Sequence, residues 1–238
     1  MTLHIRLNPD LDPRLYQRVF RHHARVHIPD ILASESARDI FDLLQHSVPW
    51  QAHFNDGAKT YDLHRDQLAV LPDNKKALLV EQLHHKAKLD FQYLFLNYSI
   101  TDAVEQRSNP GVELNAFQDF INSDEVLDLA RTITDEQAIR RADCQATLYK
   151  PGHFLTDHND DVEGTGRLIA YTFSFAPQWR ADYGGILHFL DEDGHIDEGY
   201  LPKFNALNLF RIPARHAVSY VAPFAPIGRY SIIGWFKR

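Results

Sequence analysis

The sequence predicts a mostly β protein with α-helices, built on a double-stranded β-helix (jelly roll) core that helices from the N-terminal half support. From about residue 140 the chain breaks into short runs rich in β-branched and aromatic residues, separated by Gly, Pro and Asp turn signals. Six or more such runs follow at the spacing of a sandwich or barrel. Before residue 140, apolar residues repeat at helical intervals, so helices precede the strands and would cover one outer face of the sheet.

The helices come first in chain order. After RVHIPDILASES, residues Ala37, Ile40, Phe41 and Leu44 repeat at i, i+3, i+4, i+7, with Ser34 as N-cap and Pro49 beyond the end. A second helix begins after LPD, with Asp73 as its cap. It runs through NKKALLVEQLHHKAK into LDFQYLFLNYSI, whose aromatics predict a buried strand. A third helical zone covers 115–131. The β runs are DCQATLYKPG, RLIAYTFSFAP, YGGILHFLDEDG, ALNLFRIP, HAVSYVAPF and RYSIIGWF. With no internal repeat or linker, residues 1–238 read as one domain, in which 1–140 gives helical and strand support and a substrate rim and 141–238 gives the jelly-roll core.

Composition excludes several classes. The 238 residues are 44% hydrophobic and 12% aromatic, enough for a substantial core. No run of about 18 apolar residues exists for a membrane span, and MTLHIRLNPD lacks the pattern of a signal peptide. A cytoplasmic protein without membrane partners is expected. Cys144 is the only cysteine, so neither an intrachain disulfide nor a cysteine zinc site can form, and any metal must be held by His and carboxylates. The net charge of -7 argues against a nucleic-acid partner.

A His followed two places later by Asp occurs three times, at His64/Asp66, His158/Asp160 and His195/Asp197. The tripeptide is common enough by chance that only context separates them. In a strand, His158 and Asp160 would share a face and could offer an imidazole nitrogen and a carboxylate oxygen to one ion. His216, opening a strand just after RIPAR, is the candidate third ligand. Two His and one carboxylate make the facial triad of non-heme Fe(II) oxygenases, with three positions open. Thirteen residues after His216 comes Arg229, sharing a strand face with Ser231, Ile233 and Trp235. A guanidinium buried among such neighbours requires an anion, and the far carboxylate of 2-oxoglutarate fits its planar fork. Asp157 and Asp161 have the wrong parity, and His153 reads as a loop residue. His195/Asp197 sits in a charged hairpin turn, and His84 and His85 lack a carboxylate at ligand spacing.

At this point the chain resembles the 2-oxoglutarate/Fe(II)-dependent dioxygenase superfamily, prolyl-hydroxylase type. The resemblance runs from about 144 to 236, through LYKPGHFLTDHND, RLIAYTFSFAPQWRADYGGILHF, PKFNALNLFRIPARHAVSYV and RYSIIGWF. It implies that His158, Asp160 and His216 hold Fe(II) and that Arg229 pairs with the distal carboxylate of 2-oxoglutarate. It further implies that Tyr149 and Ser231 support the same co-substrate, that Arg167 stands near the substrate, and that Trp179, Gly184 and Gly185 form a structural turn. Where the family often has Tyr or Asn after the HxD loop, this chain has Ser174, so water could fill that space.

The activity implied is hydroxylation of a prolyl residue in a protein or peptide, with decarboxylation of 2-oxoglutarate to succinate and consumption of dioxygen. Ascorbate is a further candidate cofactor. The aromatic-flanked segment 50–63, WQAHFNDGAKTYDL, reads either as a hairpin at the pocket rim or as an ordinary core hairpin. Two other classes stay open: a hydroxylase of free proline or another small molecule, and a non-catalytic, cupin-like metal- or ligand-binding module.

Overall fold

A computed structural model describes residues 3–238 apart from the side chain of Arg65. Its helices are α1 (Pro13–His23), α2 (Ser34–His46), α3 (Arg65–Val70), α4 (Asp73–Lys86), α5 (Ile100–Glu105), α6 (Ala116–Ile121) and α7 (Asp124–Thr134). Its strands are β1 (Arg25–Pro29), β2 (Gln51–Asp56), β3 (Lys59–His64), β4 (Tyr93–Ser99), β5 (Arg141–Ala142), β6 (Gln145–Tyr149) and β7 (Phe154–His158). They continue with β8 (Arg167–Ser174), β9 (Leu187–Leu190), β10 (Ile196–Tyr200), β11 (Ala206–Arg211), β12 (His216–Val218) and β13 (Arg229–Lys237).

All the ladders are antiparallel, in the order β1-β11-β8-β13-β6-β4-β7-β12-β9-β10. The last eight strands of the chain thus divide between two layers. β6, β8, β11 and β13 form one, and β7, β9, β10 and β12 form the other, which is the predicted double-stranded β-helix, a nearly closed barrel. Near the edges of the long sheet, Arg25 of β1 bridges to Asp197 and, at 2.5 Å, to Glu198 of β10, with its guanidinium over the Phe189 ring.

β8 and β11 are buried on both faces, which explains their nearly continuous apolar reading. Ile169, Tyr171, Phe173, Leu207, Leu209 and Ile232 pack outward against α1, α2, α6 and α7 through Phe20, Ile40, Phe117 and Ile133. Ala170, Phe189, Phe210 and Trp235 pack together as a second cluster. This leaves the site between a sheet braced by helices and the smaller facing layer.

Three local expectations are corrected. Ser34 and Asp73 are the first helical residues of α2 and α4, and the caps are Ala33 and Pro72, neither bonded through a side chain. The zone 115–131 is two helices. Asn122 turns its side chain to the backbone of Ala142 and Gln118, and Ser123 caps α7 by accepting from Val126 N. Ile196–Tyr200, expected within the charged turn, is strand β10, paired with β9. No helix of the described residues is long and apolar enough to cross a membrane.

Candidate active site

His158 ends β7 and His216 opens β12, and the two are register partners across that pair. Sheet pairing therefore fixes one histidine against the other, with ring centroids 4.1 Å apart. Asp160 arrives differently from the expected same-face strand geometry. β7 stops at His158, and Asp160 takes a left-handed backbone conformation with φ 61°. That turn swings its carboxylate back to 3.5 Å from His158 Nε2 and 3.6 Å from His216 Nε2. One ligand atom from each of the three lies within 4.8 Å of the others, a cluster able to hold a metal ion.

The imidazoles are oriented for that task. Nδ1 of His158 donates to Thr156 O at 3.0 Å, and Nδ1 of His216 donates to Ala214 O at 2.7 Å. Both bonds leave the Nε2 lone pairs facing Asp160. Burial, with the nearby His158, pushes His216 down to about 4, so it is a neutral donor near pH 7. Burial alone would raise Asp160. The neighbouring His158 and His216 and the Trp235 indole N–H outweigh it and hold the carboxyl below its usual range. Trp235 Nε1 donates to Asp160 Oδ2 at 3.0 Å.

The three line a cavity of about 450 Å³ whose wall continues along Tyr149, Thr147 and Arg229. Arg229 opens β13 opposite Tyr149, its guanidinium carbon 5.0 Å over that ring. Its Nε is buried with no hydrogen-bond partner, and no carboxylate of the described residues pairs with it. Burial pulls its pKa down. A buried cation without a counter-ion is costly, so this group is arranged for an anion that enters the cavity. Beside it runs a row of register neighbours, Asn97, Thr147, Ser231 and Ser174, each with a buried side-chain oxygen that lacks a partner. Burial raises the Tyr149 phenol, which stays protonated. The residues thus fit both a divalent metal at one end and a dicarboxylate anchored at the other.

Arg167 also lines the cavity, but its guanidinium lies 3.6 Å over the Trp235 ring and donates to Asp160 O at 3.3 Å. Trp179 Nε1 holds Gly184 O at 2.8 Å, within the expected turn. The β2–β3 hairpin, residues 51–64, contributes His53 and Thr60 to the cavity mouth, beside Phe91 and Tyr93.

The remaining candidates lie outside the ligand cluster. Asp157 pairs with Arg215 at 2.5 Å, whereas Asp161 is exposed at the edge of the same cavity and joins no group of potential ligands. Among the described residues, His64/Asp66 and His195/Asp197 join no group of potential ligands. His153 sits in the β6–β7 turn, where its Nδ1 accepts from Lys150 N at 3.2 Å. Sequence reasoning missed the Trp235–Asp160 bond, although strand parity from Arg229 had already turned Trp235 inward. It also missed the cavity wall made by Phe91 and Tyr93, whose signal is the aromatic alternation of FQYLF.

Comparison with known proteins agrees with this geometry. Residues 144–237 match the family described as the 2OG-Fe(II) oxygenase superfamily. A mouse protein, prolyl 3-hydroxylase OGFOD1, is 28% identical over 174 residues, 66% of this chain and 30% of the mouse protein. The chain therefore spans about a third of that relative's length. A prolyl hydroxylase from Trichoplax adhaerens, solved with a hypoxia inducible factor peptide fragment, superposes with TM-score 0.63 at 15% identity, covering 94% of this chain and 90% of that one. A Pseudomonas putida prolyl-4-hydroxylase superposes with TM-score 0.53 at 14% identity, covering 95% and 99%. Residues 144–237 are thus similar to the 2OG-Fe(II) oxygenase superfamily, and the fold of the chain is shared with prolyl hydroxylases.

Proposed function

We propose that this protein is a 2-oxoglutarate- and Fe(II)-dependent dioxygenase that hydroxylates a prolyl residue of a protein or peptide. The observation that carries the reading is Arg229, a buried guanidinium without an anion, on the wall of the cavity that His158, Asp160 and His216 also line. When bound, Fe(II) and 2-oxoglutarate supply the oxidising chemistry, in which dioxygen is consumed, succinate is released and a substrate C–H becomes C–OH.

The chain's own residues bind and orient. His158 Nε2, His216 Nε2 and the Asp160 carboxylate would hold the metal at the end of the cavity that they line. Arg229 would take the distal carboxylate, with the Ser231 and Thr147 hydroxyls beside it as additional donors. Tyr149 walls the same end, and its protonated phenol can donate a hydrogen bond there. Leu155, Leu187 and Val218 line the space with apolar surface and exclude water.

The mouth suits an uncharged ring. His53 stacks on Tyr93 with centroids 4.9 Å apart, and Phe91 packs at 5.3 Å from His158. Aromatic walls of this kind accept a proline ring in an extended peptide. The N-terminal half, residues 1–140, supplies this rim within a single domain, and Arg167 closes the substrate side. The names of the mouse and Trichoplax relatives support the same substrate class. A cytoplasmic enzyme accords with the lone, buried Cys144.

The test compares succinate release, with Fe(II), 2-oxoglutarate and ascorbate present, on adding free proline, proline-containing peptides or the same peptides with Ala at proline. Stimulation by the proline peptides alone is expected. Stimulation by free proline alone, or equally by the Ala peptides, overturns the peptidyl-proline reading.

A further inference from the structure

We propose that Trp235 is a positioning residue that restricts Asp160 to one-oxygen coordination of the metal, and that Arg167 clamps the indole in place for this purpose. The proposal rests on the reading that His158, Asp160 and His216 hold a divalent metal. The Asp160 carboxylate sits nearly symmetrically between the two imidazoles, Oδ1 at 3.5 Å from His158 Nε2 and Oδ2 at 3.6 Å from His216 Nε2. Nothing in that placement decides whether one oxygen or both face the ion. The surroundings do.

Trp235 Nε1 donates to Oδ2 at 3.0 Å, whereas the nearest cationic group to Oδ1 is Arg167 Nη1 at 4.0 Å, beyond hydrogen-bond range. Oδ2 is therefore engaged by the protein and Oδ1 is left for the metal. The indole is itself fixed. The Arg167 guanidinium carbon lies over the ring at 3.6 Å from its centroid, and the same side chain bonds the Asp160 carbonyl at 3.3 Å, tying the left-handed turn to the indole it faces. One arginine thus holds both partners of the Trp235–Asp160 bond. A carboxylate free to bind through both oxygens would occupy one of the three positions that a facial triad leaves open. On this reading the pair Trp235 and Arg167 preserves an open position without touching the metal.

The chain has three tryptophans, so the indole N–H signals of ¹⁵N-labelled protein form a small set. The signal lost in Trp235→Phe assigns Trp235. With Zn(II) as a diamagnetic probe, that signal should shift more than those of Trp50 and Trp179 and should stay protected from solvent exchange. Trp235→Phe keeps a ring for Arg167 to lie on, so its metal-free thermal midpoint serves as the folding control. Co(II) affinity of this variant should fall 10- to 100-fold, as for loss of a group that orients a metal ligand. Its Co(II) visible absorption band should also change, which a purely structural role would not produce. If Zn(II) shifts no indole or histidine signal in the wild-type protein, the metal reading and this one fall together. If Zn(II) binds but the Trp235 N–H exchanges freely, or Trp235→Phe binds Co(II) with unchanged affinity and spectrum, only the positioning role is overturned.

Discussion

The guanidinium of Arg229 lies 5.0 Å over the ring of Tyr149, its register partner across β6 and β13, and both side chains are buried. Aromatic contact offsets only a small part of the cost of desolvating a cation, so the fold carries an electrostatic penalty that an entering carboxylate would remove.

A first prediction follows from that penalty. Arg229→Met should unfold at a higher temperature than the wild type when no 2-oxoglutarate is present, because an unpaired buried charge is replaced by apolar volume. The same variant should lose about 3 to 5 kcal/mol of co-substrate affinity, the scale for removing one partner of a buried pair. Thermal midpoints with and without 2-oxoglutarate check both halves.

The metal cluster gives the second. Ala at His158, Asp160 or His216 should abolish Fe(II) binding while the far-UV circular dichroism is kept. His64→Ala and His195→Ala should bind iron like the wild type, since neither residue joins the cluster. Equilibrium dialysis against Fe(II) under anaerobic conditions separates these outcomes.

His153 gives a pH dependence. Burial pushes it from its ordinary 6.5 down to about 4, and its Nδ1 already accepts a backbone N–H, so protonation would break that bond. Above pH 6.5 both the folded and the unfolded states are neutral there, and the residue contributes no pH dependence. As pH falls from 6.5 towards 4 the unfolded chain takes up the proton and the folded chain does not, so stability falls. The loss from this residue should be about 2 kcal/mol between pH 7 and pH 5. Urea unfolding of the wild type and His153→Phe at the two pH values measures it, and the variant should show a shallower loss.

Gly184 has φ 68° and ψ -147°, a conformation nearly confined to glycine, and an added Cβ would stand 2.0 Å from Tyr220 O. Gly184→Ala should therefore lower stability by at least about 1 to 3 kcal/mol. It should also disturb the Trp179 indole that bonds Gly184 O, which tryptophan fluorescence would report.

Much of this was legible from strand parity and spacing. His216 at a strand start, and Arg229 with Trp235 on one face of a nine-residue strand, sit as the alternation requires. The left-handed turn at Asp160 was not legible, because a two-residue spacing reads identically whether the strand continues or curls back. β10 was read as part of a turn since IDEGY carries no apolar alternation, with only half-buried and exposed positions, and its pairing comes from β9 and the Arg25 bridges. α1 was not singled out. Its signals are Asp12 capping Arg14 N and Pro13 at the first position, and they are short-range. Ser34 and Asp73 read as caps but are the first helical residues, since a polar residue at a helix start serves equally in either place until the backbone is known.

The central claim is that one cavity holds Fe(II) at His158, Asp160 and His216 and 2-oxoglutarate against Arg229. The most direct measurement is succinate formed from 2-oxoglutarate by purified protein without any prime substrate, with Fe(II) present or chelated. Slow succinate production is predicted that requires Fe(II), disappears in His216→Ala and needs a far higher 2-oxoglutarate concentration in Arg229→Ala. Succinate release that persists after chelation, or that follows the same 2-oxoglutarate dependence in Arg229→Ala as in the wild type, would contradict the account.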